Sequence, residues 1–317
     1  PARDPFRAAG RAAVNPRLTL QLCTYNRAAL LERVLEAAFE QTLPRERYEV
    51  VLVDDGSADA TPAVIEAARA RATCRFLAIR QRNAGLARAR NAGIARARGE
   101  RIVFIDDDVL PTPGFLAEHL RSHAAHPAAI VRGGVIACAS FERLPAPFWS
   151  PRDYSGNFFW TSNVSVPAAT LRSCGGFSER FREYGWEDIE LGLRLRAAGL
   201  RAVFNPKALA FHSKPPPRAG DLPATLRRVR AQARTARQLY AMHPGWRVPL
   251  ATGDDPLRRA LARTVRNLVP RVQLEERFAT LESEAPLGLR ERLALELLAF
   301  DAYYGELERA AEGERSA

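Results

Sequence analysis

The stretch Arg101-Ile102-Val103-Phe104-Ile105-Asp106-Asp107-Asp108 decides the fold, because a short β-prone apolar run ends in three consecutive carboxylates. The same figure recurs upstream. Residues 18–23 run into Thr24-Tyr25-Asn26, and residues 48–53 run into Asp54-Asp55-Gly56-Ser57. Residues 75–79 and 129–136 share the strand composition. Between these runs lie segments of helical period. Residues 27–41 carry Leu30, Leu31, Val34, Leu35 and Ala38 at helical spacing, residues 61–70 open on Thr-Pro, and residues 86–97 are rich in alanine. Strand and helix in alternation predict an α/β fold with a buried, mostly parallel sheet and helices on both faces. Ligands of such sheets sit beyond the carboxyl ends of the strands. The polar clusters stand there.

From about Ala139 the alternation stops, and residues 141–160 are rich in Pro, Phe and Trp. A helix follows at 188–198, whose Ile189, Leu191, Leu193 and Leu195 give no single stripe and predict burial on more than one side. Lys214-Pro215-Pro216-Pro217 reads as a linker, and everything after Asp221 reads as helical. The expected organisation is an N-terminal arm (1–16), a catalytic domain (17–217) and a helical extension (218–317). Residues 218–271 hold 12 Arg against three Asp, whereas residues 275–317 hold five Arg against 11 acids. In the basic part, Arg227, Arg228, Arg230, Arg234 and Arg237 accompany Leu226, Val229, Ala233, Ala236 and Tyr240 at three- and four-residue spacing. That pattern suits either an interfacial helix on an anionic membrane or ordinary packing, and packing is the favoured reading.

With 317 residues, 47% of them hydrophobic, the chain can bury a large core. Its 47 basic against 36 acidic residues give a formal +11, almost all from arginine, which attracts phosphate-bearing ligands, anionic membranes or nucleic acid. Cys23, Cys74, Cys138 and Cys174 form no Cys-x-x-Cys pair and read as small buried hydrophobes. No uncharged run approaches the ~18 residues that span a bilayer. The polar N-terminus lacks a signal-like apolar region. The expectation is a cytoplasmic protein, with peripheral contact at the inner face of the membrane as its one route to a bilayer.

Three adjacent acids repel one another, and a divalent cation is the usual remedy; a solvated acidic turn is the competing reading. In an extended segment Asp106 and Asp108 would point the same way and Asp107 oppositely, so that one of the aligned pair holds a metal and the other a ribose hydroxyl or a water. Hard oxygen ligands suit Mg²⁺ or Mn²⁺. His212, beside Ser213, Lys214 and Arg218, is the candidate further ligand. Asp55 is either part of a β-turn or an acceptor for a nucleobase or ribose. Residues 83–91 open a helix with a small turn and present Arg88, which together with the helix N-terminus favours a diphosphate. Glu187-Asp188 begins another helix and could simply complement its dipole. Trp186 offers instead a flat face for a sugar, beside carboxylates able to take a proton from a hydroxyl.

Together these clusters resemble the family 2 glycosyltransferases, inverting nucleotide-sugar enzymes, over about Arg17 to Ser213. The segment 175–195 is similar, more loosely, to the acceptor-side motif of β-galactosyltransferases and N-acetylhexosaminyltransferases. The resemblance implies a GT-A fold, a Rossmann-like mostly parallel sheet. It implies that Thr24, Tyr25, Arg27 and Arg88 line the nucleotide pocket, that Asp55 holds uracil or ribose, and that Asp106 and Asp107 complete the nucleotide site. Asp108 and His212 would bind Mn²⁺ or Mg²⁺, with Asp107 the alternative to Asp108. Trp186 and Glu187 would bind the acceptor, and Asp188 would be the base; retaining relatives carry Asn at that place, so Asp188 implies inversion. The implied reaction moves a hexose or N-acetylhexosamine from a UDP-sugar to a hydroxyl of a saccharide or lipid-linked saccharide. A nucleotidyltransferase making sugar nucleotides would want a Gly-rich loop after the first strand, which Thr24-Tyr25-Asn26-Arg27 is not. A nucleic-acid module would interleave aromatics with arginine, and residues 227–237 contain none, so nucleic acid is not an expected partner.

Overall fold

The computed structural model describes residues 16–150, 159–268 and 270–315. The expected arm lies outside them except for Pro16, as does part of the Pro, Phe and Trp-rich stretch. Four strands form the parallel half of the sheet: β1 (Leu18–Thr24) lies between β2 (Tyr48–Asp54) and β4 (Arg101–Phe104), with β3 (Arg75–Arg80) outside β2. The second half is mixed. β7 (Val164–Pro167) runs antiparallel between β4 and β6 (Ala129–Cys138). β8 (Arg201–Ser213) pairs parallel to β6 and antiparallel to the edge strand β5 (Val109–Pro111). The full order is β3-β2-β1-β4-β7-β6-β8-β5.

Helices cover both faces, and β4 shows why. Val103, with Ile105 just beyond the strand, joins a core with Leu31 and Leu35 of α1 (Ala28–Phe39) and Phe115 of α4 (Phe115–Ala125). Ile102 and Phe104 point the other way, to Ile94 of α3 (Leu86–Arg96), Leu171 of α5 (Ala168–Ser173) and Leu191 and Leu195 of α6 (Glu187–Ala197). Alternate residues of one strand therefore feed two cores. α2 (Thr61–Arg71) packs beside α1. α6 is buried on two sides, because Ile189 enters a separate cluster with Leu239 and Val248. All four cysteines are free. Burial pushes the Cys23 and Cys74 thiols up to about 12 and about 11, so neither ionises near neutrality.

After the coil at 214–217 the chain is helical: α7 (Leu222–Met242), α8 (Arg247–Thr252), α9 (Pro256–Leu268), α10 (Arg271–Ala279) and α11 (Leu289–Arg315). The basic α7 lies against α11, with Ala233 and Ala236 packed on Tyr304 and Leu307. Arg234 pairs with Glu183 and Glu306, and Arg237 with Asp254. Most of its apolar stripe is therefore spent inside the molecule, and of the two roles open to this helix it takes packing. Among the described residues no helix is long and apolar enough to cross a membrane.

Candidate active site

The carboxyl ends of β1, β2 and β4 open side by side, with Thr24 opposite Asp54 in the β1–β2 register. The three aspartates follow β4, and here the expected geometry is wrong. The Val109 N–H donates to the Asp106 carbonyl at 3.1 Å, which closes a turn rather than extending the strand. Strand alternation does not apply, and the side chains go three ways. Asp106 accepts from Ser162 Oγ at 2.6 Å and from Arg90 Nη2 at 3.2 Å. Asp107 accepts from Thr24 Oγ1 at 2.7 Å. Asp108 lies 3.4 Å from His212 Nε2 and 3.8 Å from Arg27 Nη1.

These surroundings separate the carboxyls chemically. Burial pushes the Asp107 carboxyl up to about 6, against the opposing pull of Thr24 and Arg27. Burial also works against ionising Asp108, but the hydrogen bond and charge of His212, with Arg27, hold it below the ordinary carboxylate range. His212 stands opposite Val109 in the β5–β8 register, which is how a residue so distant in sequence meets the turn. Its Nδ1 is buried without a hydrogen-bond partner among the described residues.

A divalent ion fits this corner as a partial set. Asp108 supplies hard oxygen and His212 an imidazole nitrogen, yet among the described residues no three His, Cys, Asp or Glu side chains are grouped to hold an ion alone. Mg²⁺ and Mn²⁺ commonly take one or two protein ligands and complete their shells with phosphate oxygens and water.

On the neighbouring strand end Asp55 grips the loop before α3. It accepts from Gln81 Nε2 at 2.8 Å and from the Ala84 and Gly85 N–H groups at 2.9 Å each. Gly56 fits beneath that loop with φ +84°, where an added Cβ would stand 2.8 Å from the Asn83 nitrogen. Tyr25 is half exposed, and Arg88 turns to Glu179 at 2.9 Å along an open groove shared with Gln81, Arg82 and Asn91.

Glu187 and Asp188 reach the turn through a residue that the sequence did not single out. Arg90 of α3 is buried; it donates to Glu187 Oε1 at 2.7 Å, to Thr161 Oγ1 at 2.6 Å and to Asp106, with its guanidinium 5.0 Å from the Phe177 ring centroid. Burial opposes its charge, but Glu187 and Asp106 more than restore it. The signal was present in the helical period: Ala87, Arg90 and Ile94 share one stripe, so an arginine stands where an apolar residue is expected. Thr161 and Ser162 carried no such signal. Asp188, half-buried beside Glu187, has its carboxyl pushed up to about 7, first by burial and then by the Glu187 charge, with Arg90 pulling the other way. Trp186 begins α6 with φ +67°, donates its indole N–H to the Gln232 carbonyl at 2.8 Å and packs among the C-terminal helices. It thereby ties α7 to the carboxylate site, a role not foreseen for it.

Comparison with known proteins agrees with this architecture. Residues 19–174 match the family described as Glycosyl transferase family 2, and residues 101–253 match Glycosyl transferase family group 2. A validoxylamine A glucosyltransferase of Streptomyces hygroscopicus subsp. jinggangensis is 33% identical over 221 residues, 58% of this chain and 52% of that protein. The chain thus spans about half the length of the curated relatives it matches first. Among solved structures, a mannosyltransferase from Pyrobaculum calidifontis in complex with GDP-Man and Mn²⁺ superposes with a TM-score of 0.59 at 21% identity, over 96% of this chain and 90% of that one. S. aureus TarS in complex with UDP gives 0.53 at 15% identity, over 94% and 92%. These likenesses show the GT-A fold. By its matched residues, the chain carries a glycosyl transferase family 2 domain.

Proposed function

We propose that the chain is a metal-dependent inverting glycosyltransferase that moves a hexose or N-acetylhexosamine from a nucleotide sugar, UDP-linked, to a hydroxyl of a saccharide or lipid-linked saccharide. Residues 17–217 would form the catalytic domain and residues 218–317 a helical extension that braces it. One observation carries the reading: the Arg90 fork joins Asp106 on the donor side to Glu187, next to Asp188, on the acceptor side. A carboxyl raised to about 7 is matched to taking a proton near neutral pH.

In this mechanism Glu187 orients the acceptor hydroxyl and Asp188 takes its proton. The acceptor oxygen bonds to the anomeric carbon as the bond to the diphosphate breaks on the opposite face, and the electron pair leaves with the nucleoside diphosphate. Thr24, Tyr25, Arg27, Asp55, Arg88, Asp106 and Asp107 are assigned to the nucleotide, and Asp108 and His212 to Mn²⁺ or Mg²⁺. When bound, that ion would offset the charge growing on the diphosphate. The nucleotides bound by the mannosyltransferase and by TarS support a nucleotide-sugar donor here.

A thermal-shift screen with UDP-, GDP- and dTDP-sugars, with and without Mn²⁺, identifies the donor. UDP-sugars should stabilise the protein, and more so with Mn²⁺. Asp188→Asn should keep that shift and lose about 10²- to 10⁴-fold in transfer, the scale of a lost general base. Transfer above about a tenth of wild type would remove Asp188 from the role, and full activity in excess EDTA would remove the metal.

A further inference from the structure

α9 is amphipathic in the reverse of the usual sense. Leu257, Leu261 and Leu268 recur at spacings of four and seven, so they share one face, and they are 79%, 56% and 77% exposed. The face turned to the molecule is the charged one. Arg259 donates to both Asp254 carboxylate oxygens at 2.6 and 2.7 Å, Arg266 donates to Asp301 at 3.0 Å and pairs with Glu308, and buried Ala262 between them meets Ala233, Ala236 and Tyr304. Ion pairs on the inner side therefore fix the helix with its leucines outward. Single exposed leucines are ordinary, but a row of them on one helix face marks a docking surface.

Charge identifies the occupant. α9 holds four arginines and no acid. Arg258 and Arg263 lie to the two sides of the leucine row; each has an acid close by, Asp255 at 3.5 Å and Glu308 at 3.6 Å, yet both arginines are more than half exposed and reach solvent. Arg258 also donates to the Leu250 carbonyl at 3.2 Å, which brings the half-exposed Leu250 of α8 beside the start of the row. One turn before Leu250, Trp246 is 71% exposed, with the Arg247 guanidinium 5.4 Å from its ring centroid. A second copy is a poor occupant, since each chain carries a formal +11 and like charges repel. Leucine and tryptophan exposed beside arginine, on a helix with no acid of its own, is the composition of helices that lie in the interface of an anionic bilayer.

The geometry points to α9 as a peripheral anchor that sets Leu257, Leu261 and Leu268 into the headgroup boundary of an anionic membrane. This relocates membrane contact from α7, whose stripe is largely internal, to the helix that presents its apolar side to solvent. The inference does not depend on glycosyl transfer, and its test measures binding without turnover. Sedimentation with phosphatidylcholine vesicles, with and without phosphatidylglycerol, reads it directly. The wild-type chain should pellet with the anionic vesicles and be released by salt. A triple variant with Leu257→Gln, Leu261→Gln and Leu268→Gln should bind about tenfold or more weakly, as loss of an inserted apolar face requires. Its melting temperature should stay unchanged, because those side chains contact solvent. Arg263→Gln should weaken binding about fivefold, the worth of one arginine near an anionic surface. The inference is overturned if the wild type stays in the supernatant with anionic vesicles, or if the triple variant binds them equally well. It is equally overturned if sedimentation velocity shows a dimer that the triple variant dissolves while vesicles recruit neither protein.

Discussion

Arg90 is where the chemistry of single side chains decides most. It neutralises two carboxylates that belong to different ends of the site, and its positive charge is the main influence holding the Asp188 carboxyl down. Arg90→Gln leaves Asp106 and Glu187 without their counter-charge in a buried place, a change that costs about 3 to 5 kcal/mol. It should also let the Asp188 carboxyl rise further. The base proposed for Asp188 would act only when deprotonated, so transfer should be full well above pH 7 and fall as pH drops through about 7 in the wild type. In Arg90→Gln the acid limb should move to higher pH, whereas Arg90→Lys should keep its position and lose rate through the missing fork. A pH–rate profile of the three proteins checks this; identical limbs would separate Arg90 from the base. The sequence revealed Asp106, Glu187 and Asp188 because acids at strand and helix ends are conspicuous. It concealed Arg90, because one more arginine among 47 basic residues stands out only when its helical stripe is examined.

At the scale of elements, the parallel half of the sheet was legible and the mixed half was not. β2 is buried at every residue, and residues 50–53 read as an unbroken apolar run, as an interior parallel strand must. β7 has four residues, one of them the buried Ser165, and offers no pattern. β8 is interrupted by Asn205-Pro206-Lys207 where its register with β6 shifts, so its length carries no continuous strand pattern. α4 was hidden because its buried stripe contains His119 and His123. These histidines share Ser165 Oγ at 2.8 Å each, and His119 also meets Asn163 Oδ1 at 2.9 Å. Burial pushes them down to about 4 and about 3. Above pH ~6.5 both are neutral whether the chain is folded or not, and they leave stability unaffected. Below it the unfolded chain takes up protons that the folded one refuses, so stability should fall progressively towards pH 4. Melting temperatures from pH 7 to 5 should drop, and His123→Phe should flatten the slope; an equal slope in the variant would acquit the pair.

Across the whole molecule, the C-terminal helices and the carboxylate site are mechanically one. Phe181, Trp186 and Ile189 pack with Leu239 and Val248, and the Trp186 N–H reaches the Gln232 carbonyl. A chain ending at residue 217 would uncover that cluster at the start of α6, where Glu187 and Asp188 sit. Such a truncation should lose transfer activity and precipitate or melt well below the full chain, as differential scanning fluorimetry would show. A truncated protein as active as the whole would make the extension dispensable to the site. The helical character of this region was legible from composition, but its grip on Trp186 depends on contacts more than 40 residues apart in sequence, which no local pattern carries.

The position of β7 also imposes a timetable on biosynthesis. β4 finds β1 at once, but its other edge has no neighbour until Val164–Pro167 leaves the ribosome. The acidic turn is made early too, and it waits for Ser162, then for Glu187 to share Arg90, and finally for His212. A nascent chain therefore carries mutually repelling carboxylates and an open strand edge through much of its synthesis, the state in which chaperones are most useful. The parts of the proposed site come together last, when the strand bearing His212 joins the sheet.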